Sequence, residues 1–226
     1  MHKNTPEQHK MRTRTYTEKE EIANTISHGL GILLGIVGGY ILLSKAIRND
    51  NIWAIVSIIA YLFGMLASYI TSTCYHACLH EDRKGKWRKC DHAAIYLHIA
   101  GTYIPFTLLV LRNEGAWGWG LFAFICAAAI AGLILSFTHL KAHSNLETVC
   151  FILMGSAILV AFKPLYDVLS RTGHIDSLYW LITGGAAYII GALFYSWTRR
   201  RYMHTVFHLF VLAGSICHII AIYIIL

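Results

Sequence analysis

Apolar residues fall in seven long stretches along this chain, at about 24–46, 52–79, 92–111, 117–139, 147–162, 177–196 and 203–226, with short polar segments between them. The stretches are continuous and do not alternate with a period of two, so they predict helices and not the strands of a barrel. A helix needs about 20 mainly apolar residues to cross the hydrocarbon core of a bilayer. Six stretches meet that length, and the fifth is the shortest. The pattern predicts an all-α membrane protein: a seven-transmembrane helix bundle forming one compact domain over 24–226. It is preceded by a polar tail, 1–23, that has no apolar core of the kind a cleavable signal carries and is expected to be partly disordered.

Within the stretches, Gly31, Gly35 and Gly39 recur every four residues in span 1, a spacing that lets a neighbouring helix approach closely. Pro105 in span 3 predicts a kink and a freed carbonyl. Composition agrees with the pattern: of 226 residues, 56% are hydrophobic and only 14% charged, with a mean hydropathy of +0.52. A soluble domain of this size would need far more polar surface.

The basic residues set an orientation. Most of the 19 Lys and Arg fall in the N-terminal tail, in 83–89 and in 199–201, all on one side of a seven-span frame. The other side keeps only Lys45, Arg48, Arg112, Lys163 and Arg171. The positive-inside rule therefore predicts a cytoplasmic N-terminus and an outside C-terminus. The net charge of +7 reflects this asymmetry. Short juxtamembrane clusters suit anionic lipid headgroups, so no nucleic acid is expected as a partner. The chain reads as a multi-pass protein of the cell (plasma) membrane with membrane lipids as its partners.

The six cysteines, in or beside apolar segments, read as small buried hydrophobes. Cys74 and Cys78 are spaced i, i+4, a spacing that also suits metal binding. The thirteen histidines are more telling. Most of them, including His28, His76, His80, His92, His98, His139, His143, His204 and His208, lie in or near the half predicted to be cytoplasmic. Ionisable side chains in spanning helices are costly and point to function. Span 2 ends near His76, span 3 opens at Asp91, and span 7 opens with His204 and His208, so topology brings all four to one depth. Residues four apart on a helix share a face, which allows two rings to meet one ion. Three imidazoles with a nearby carboxylate suit a hydrolytic zinc centre, because three protein ligands leave a position for water and lower its pKa to about 7. Asp91 would hold or deprotonate that water, and Ser72, one turn before His76, could orient a carbonyl or an oxyanion. The choice is not unique on spacing alone. His76 with His80, and His139 with His143, have the same separation as His204 with His208.

Four segments resemble a known family: Glu21-Ile-Ala-Asn24-Thr-Ile-Ser27-His28, Ser72-Thr-Cys-Tyr-His76, Asp91 after a basic loop, and His204-Thr-Val-Phe-His208. In order and position they resemble the progestin and adipoQ receptor family, and especially its bacterial branch, the haemolysin III proteins, from about residue 17 onward. The resemblance implies a seven-helix bundle with inverted orientation relative to G-protein-coupled receptors and a Zn2+ ion near the cytoplasmic face. It implies His76, His204 and His208 as metal ligands, with Asp91 and Ser72 beside the bound water. Glu21, Asn24 and His28 would support the site. The family's zinc arrangement is similar to that of alkaline ceramidases, which suggests amide hydrolysis of a lipid.

The expected function is therefore a zinc-dependent intramembrane hydrolase acting on a lipid amide or ester. One alternative is a non-enzymatic lipid-sensing or membrane-homeostasis protein with structural zinc. Another is the cytolytic activity in the haemolysin name. A photoreceptor or proton transporter is disfavoured, because span 7 has no Lys for a retinal Schiff base and the spans carry no chain of carboxylates.

Overall fold

The computed structural model describes residues 16–138, 145–197 and 200–226. The pair His139 and His143 lies outside them. The described elements are α1 (Glu18–Arg48), α2 (Ile52–Ala77), α3 (Glu81–Pro105), α4 (Ala116–Thr138), α5 (Asn145–Ser156), α6 (Phe162–Arg171), α7 (Ile175–Ser196) and α8 (Met203–Ile225). No strand occurs among the described residues. Seven helical runs are long and apolar enough to cross a membrane, because α5 and α6 together make one span, Leu146–Arg171. The chain is a multi-pass, seven-helix membrane protein.

The bundle is inside out relative to a soluble one. Leu33, Ile36, Phe63 and Leu193 are exposed on its outer surface, as a lipid solvent demands, while Glu20, Asn24, Ser27, His28 and His208 are buried. With lipid outside, close packing of small residues has to hold the helices together. The glycine stripe of α1 does this against α2: Gly31 faces Tyr69, Gly35 faces Leu66 and Gly39 faces Leu62. The α2–α3 contact is tighter still. A Cβ on Gly64 would sit 2.2 Å from the Leu97 carbonyl oxygen, and one on Gly101 would sit 3.1 Å from that of Ala60. Backbone cannot give way as a flexible side chain can. Gly64→Ala is therefore expected to push α2 from α3 and to destabilise the protein by at least about 1–3 kcal/mol, read as a lowered thermal midpoint in detergent.

Helix ends follow local chemistry. Thr17 and Glu20 form a reciprocal capping box that starts α1 at Glu18, ahead of the apolar run that opens at residue 24. The Glu20 carboxylate also accepts from the Tyr202 backbone N–H at 2.9 Å, tying the start of α1 to the start of α8. Pro105 ends regular α3 geometry, and a wider π-type turn follows over Phe106–Val110, closed by Leu111 N–H on the Phe106 carbonyl at 3.0 Å. The fifth span is longer than its apolar run. A 3-10 segment, Ala157–Ala161, interrupts it, and α6 then starts at Phe162 with Pro164 in its first turn, where proline is tolerated. Tyr103 fills this break: its hydroxyl sits 2.8 Å from the carbonyls of Met154 and Gly155 and accepts from Ile158 N–H at 2.9 Å.

Candidate metal centre

The end of α2, the start of α3, the first turns of α1 and the first turns of α8 meet at one end of the bundle. His76, His204 and His208 converge there, each offering one ring nitrogen, all within 4.8 Å of one another. The Nε2 atoms of His76 and His208 lie 3.1 and 3.0 Å from Nε2 of His204. Among the described residues this is the one group of three or more potential ligands able to hold a metal ion, and it contains no thiolate. Cys74 and Cys78 are free and outside it. His80, four residues past His76, is exposed at the N-cap of α3 and takes no part.

The outer nitrogens decide what the inner ones can do. His76 Nδ1 meets the Glu21 carboxylate at 2.6 Å and therefore donates to it. Ser27 spends its hydroxyl proton on the Asn24 carbonyl at 2.9 Å. His208 Nδ1, 3.0 Å from Ser27 Oγ and 3.3 Å from the Asn24 carbonyl oxygen, has to donate as well. Both Nε2 atoms therefore carry lone pairs directed toward His204. A single proton on His204 Nε2 cannot point at both, whereas a cation among the three nitrogens satisfies them together. Ligand nitrogens about 2.0–2.1 Å from a tetrahedral ion stand about 3.3 Å apart, within a few tenths of an ångström of the two distances to His204 Nε2. The residues present fit a metal ion.

Further contacts keep the rings in place. Lys84 donates to Glu21 at 2.6 Å. The Thr205 hydroxyl donates to the Asn24 side-chain carbonyl at 2.6 Å. His28 stacks on His208 with centroids 3.4 Å apart. Tyr16 packs against His76 and His204 with centroids at 6.0 and 5.1 Å, and burial holds its phenol in the protonated form by pushing its pKa well above the usual value. Carboxylate partners of ligating histidines typically contribute 10–100-fold to metal affinity. Glu21→Ala is thus expected to weaken metal binding by about that factor, measured by competition with a chelator, while leaving the metal bound at saturation.

Asp91 is 8% exposed and Ser72 1% exposed. Ser72 on α2 lies close enough to Asp91 on α3 to act on its carboxyl, yet its buried hydroxyl makes no hydrogen bond. Asp91 also lies within electrostatic range of His76 and His92. Asp91, Ser72, His204 and His208 line a cavity of about 760 Å³ that runs from the metal cluster into the bundle between walls such as Ile99, Phe106, Leu165 and Leu178. A smaller cavity of about 450 Å³ reaches His76 from the α1 side, and Tyr16, Glu21, Glu81 and Lys84 line both.

The roles of Tyr16, Lys84 and Ser27 do not emerge from the sequence reading. A signal existed for Ser27, since Glu21, Asn24, Ser27 and His28 share one face of α1. None existed for the pairing of Lys84 with Glu21, which depends on how the short α2–α3 turn folds back.

Comparison with known proteins follows the same frame. A family described as haemolysin-III related matches residues 16–219. Hemolysin-3 of Bacillus cereus is 42% identical over 206 residues, which cover 91% of each chain. The Hemolysin-3 homolog of Bacillus subtilis (strain 168) is 38% identical over 200 residues, 88% of this chain and 91% of its own. Monocyte to macrophage differentiation factor of Homo sapiens is 29% identical over 210 residues, 90% of this chain and 83% of its own.

Proposed function

Because the chain belongs to the haemolysin-III related family, we propose that it is a zinc-dependent hydrolase of a lipid amide or ester, acting within the membrane on a substrate that enters sideways between helices. One observation carries this reading: the three-imidazole cluster opens on the long, apolar-walled cavity that also holds Asp91 and Ser72. A purely structural metal site has no need of a lipid-sized cavity beside it. The charge asymmetry supports placing the centre at the cytoplasmic end of the bundle.

His76, His204 and His208 would hold the ion through Nε2, and a donor set of imidazole nitrogens suits zinc. A zinc ion there supplies Lewis acidity and brings the pKa of a water it binds to about 7. The protein's own groups do the rest. Glu21, Ser27 and the Asn24 carbonyl keep the rings in the ligating tautomer. Asp91 takes the proton from the attacking water and returns it to the leaving amine or alcohol. Ser72, with its hydroxyl unspent, donates to the substrate carbonyl oxygen as negative charge develops there. The apolar wall holds the acyl chain and keeps bulk water out.

Two other readings have a specific observation behind them. The cluster joins α2 to α8 and is braced by α1, which suits a structural metal in a lipid sensor. The name of the Bacillus cereus relative points to lysis. The deciding experiment offers purified, reconstituted protein a panel of N-acyl and O-acyl lipids and measures free fatty acid. Release from one lipid class supports the hydrolase. No release from any class, together with metal-independent leakage from vesicles on adding protein from outside, supports lysis and overturns the hydrolase.

A further inference from the structure

The cavity passes a second polar group that the metal chemistry does not use. His98 lies seven residues along α3 from Asp91, and His218 lies ten residues along α8 from His208. At a rise of about 1.5 Å per residue they sit roughly 10 and 15 Å deeper in the bundle. Both line the cavity, and they are only 6% and 5% exposed. The Tyr188 ring packs edge-on against both, with centroids 6.1 Å from His98 and 5.2 Å from His218.

Tyr69 and Tyr188 are satisfied here, whereas one nitrogen of each histidine is not. The hydroxyls of Tyr69 and Tyr188 bond to Ser215 Oγ at 2.8 and 2.9 Å. His98 Nε2 and His218 Nδ1 have no hydrogen-bond partner. His218 Nε2 stands 3.3 Å from the Leu181 carbonyl oxygen, which can only accept, so the ring proton is on Nε2 and Nδ1 carries a lone pair. Only a donor satisfies that nitrogen. Buried polar groups are almost always paired, and two imidazoles on one apolar-walled cavity, each with one unpaired nitrogen, call for a partner from the ligand.

We infer that His98 and His218 form a subsite for a hydroxyl group carried partway along the acyl chain of the bound lipid. A keto or ether oxygen cannot donate to His218 Nδ1, and a charged group at this depth is costly. A hydroxyl donates its one proton to His218 Nδ1 and accepts from His98 in its Nε2–H tautomer. The inference rests on reading the cavity as an acyl-chain site and does not require hydrolysis.

The test measures equilibrium binding of two free acids to metal-loaded, full-length protein in detergent, by displacement of a fluorescent fatty acid. The probes are octadecanoic acid and octadecanoic acid hydroxylated near mid-chain. The hydroxylated acid is expected to bind about tenfold more tightly. His218→Leu and His98→Leu should each remove most of that preference while the plain acid binds at least as well as before. Equal affinity of the wild type for the two acids overturns the inference without any variant, as does binding of neither. A preference that survives both substitutions overturns it too. Preference without turnover of any lipid ester or amide would sink the hydrolase and leave the subsite standing. Turnover without preference would do the reverse.

Discussion

Replacing His208 with alanine is expected to empty the metal centre, with purified His208→Ala protein carrying only background metal where the wild type carries one ion per chain. His208 is 1% exposed and sits inside the bundle. Its Nε2 lies 3.0 Å from that of His204, and its Nδ1 is held by Ser27 and Asn24, which fixes the direction of its ligating lone pair. Losing a ligand outright should cost more than the 10–100-fold that follows loss of a supporting partner. His80→Ala is the matched control. It has the same spacing from His76 but stands exposed outside the cluster, and it should keep the full metal content. Metal analysis by mass spectrometry reads both. Full metal in His208→Ala would reject the ligand set.

The second large effect separates chemistry from structure. Asp91→Asn keeps the shape and polarity of the side chain but removes the proton acceptor. It is expected to retain the metal and the thermal midpoint while kcat falls by about 10²–10⁴, the usual contribution of a positioned general base. Asp91 lines the cavity within electrostatic range of His76, and the three imidazoles make up the metal-ligating group without it. If Asp91 served only packing, the substitution would change stability or nothing. Measuring kcat, metal content and unfolding on one preparation distinguishes these outcomes.

How much of this was legible in the sequence depended on the length scale of each signal. Lipid outside the bundle forces long apolar runs, so the seven spans and the all-α class follow from the hydrophobic pattern. The glycine stripe of α1 was also readable, because i, i+4 spacing places Gly31, Gly35 and Gly39 on one face, and that face meets α2. The fifth span was read short because Lys163 and Pro164 end its apolar run, whereas the chain restarts a helix there and exposes the charge. For the centre, spacing alone left three histidine pairs open. Resemblance in four segments singled out His204 and His208, and the structure brings that pair to His76 while leaving His80 outside. The parts that stayed hidden join residues far apart in the chain and lack a periodic signature: Tyr16 against His204, Lys84 on Glu21, and His98 and His218 against Tyr188. Such pairs are set by how helices rotate against one another.

The claim that the three-histidine centre holds a zinc ion that does chemistry is tested most directly by fatty acid release from reconstituted wild-type protein, measured before metal removal, after chelation and after zinc is restored. Release should fall to background on chelation and return with zinc, at unchanged protein fold. Release that persists in fully metal-free protein would contradict it, as would a metal-replete protein that cleaves no acyl lipid at all.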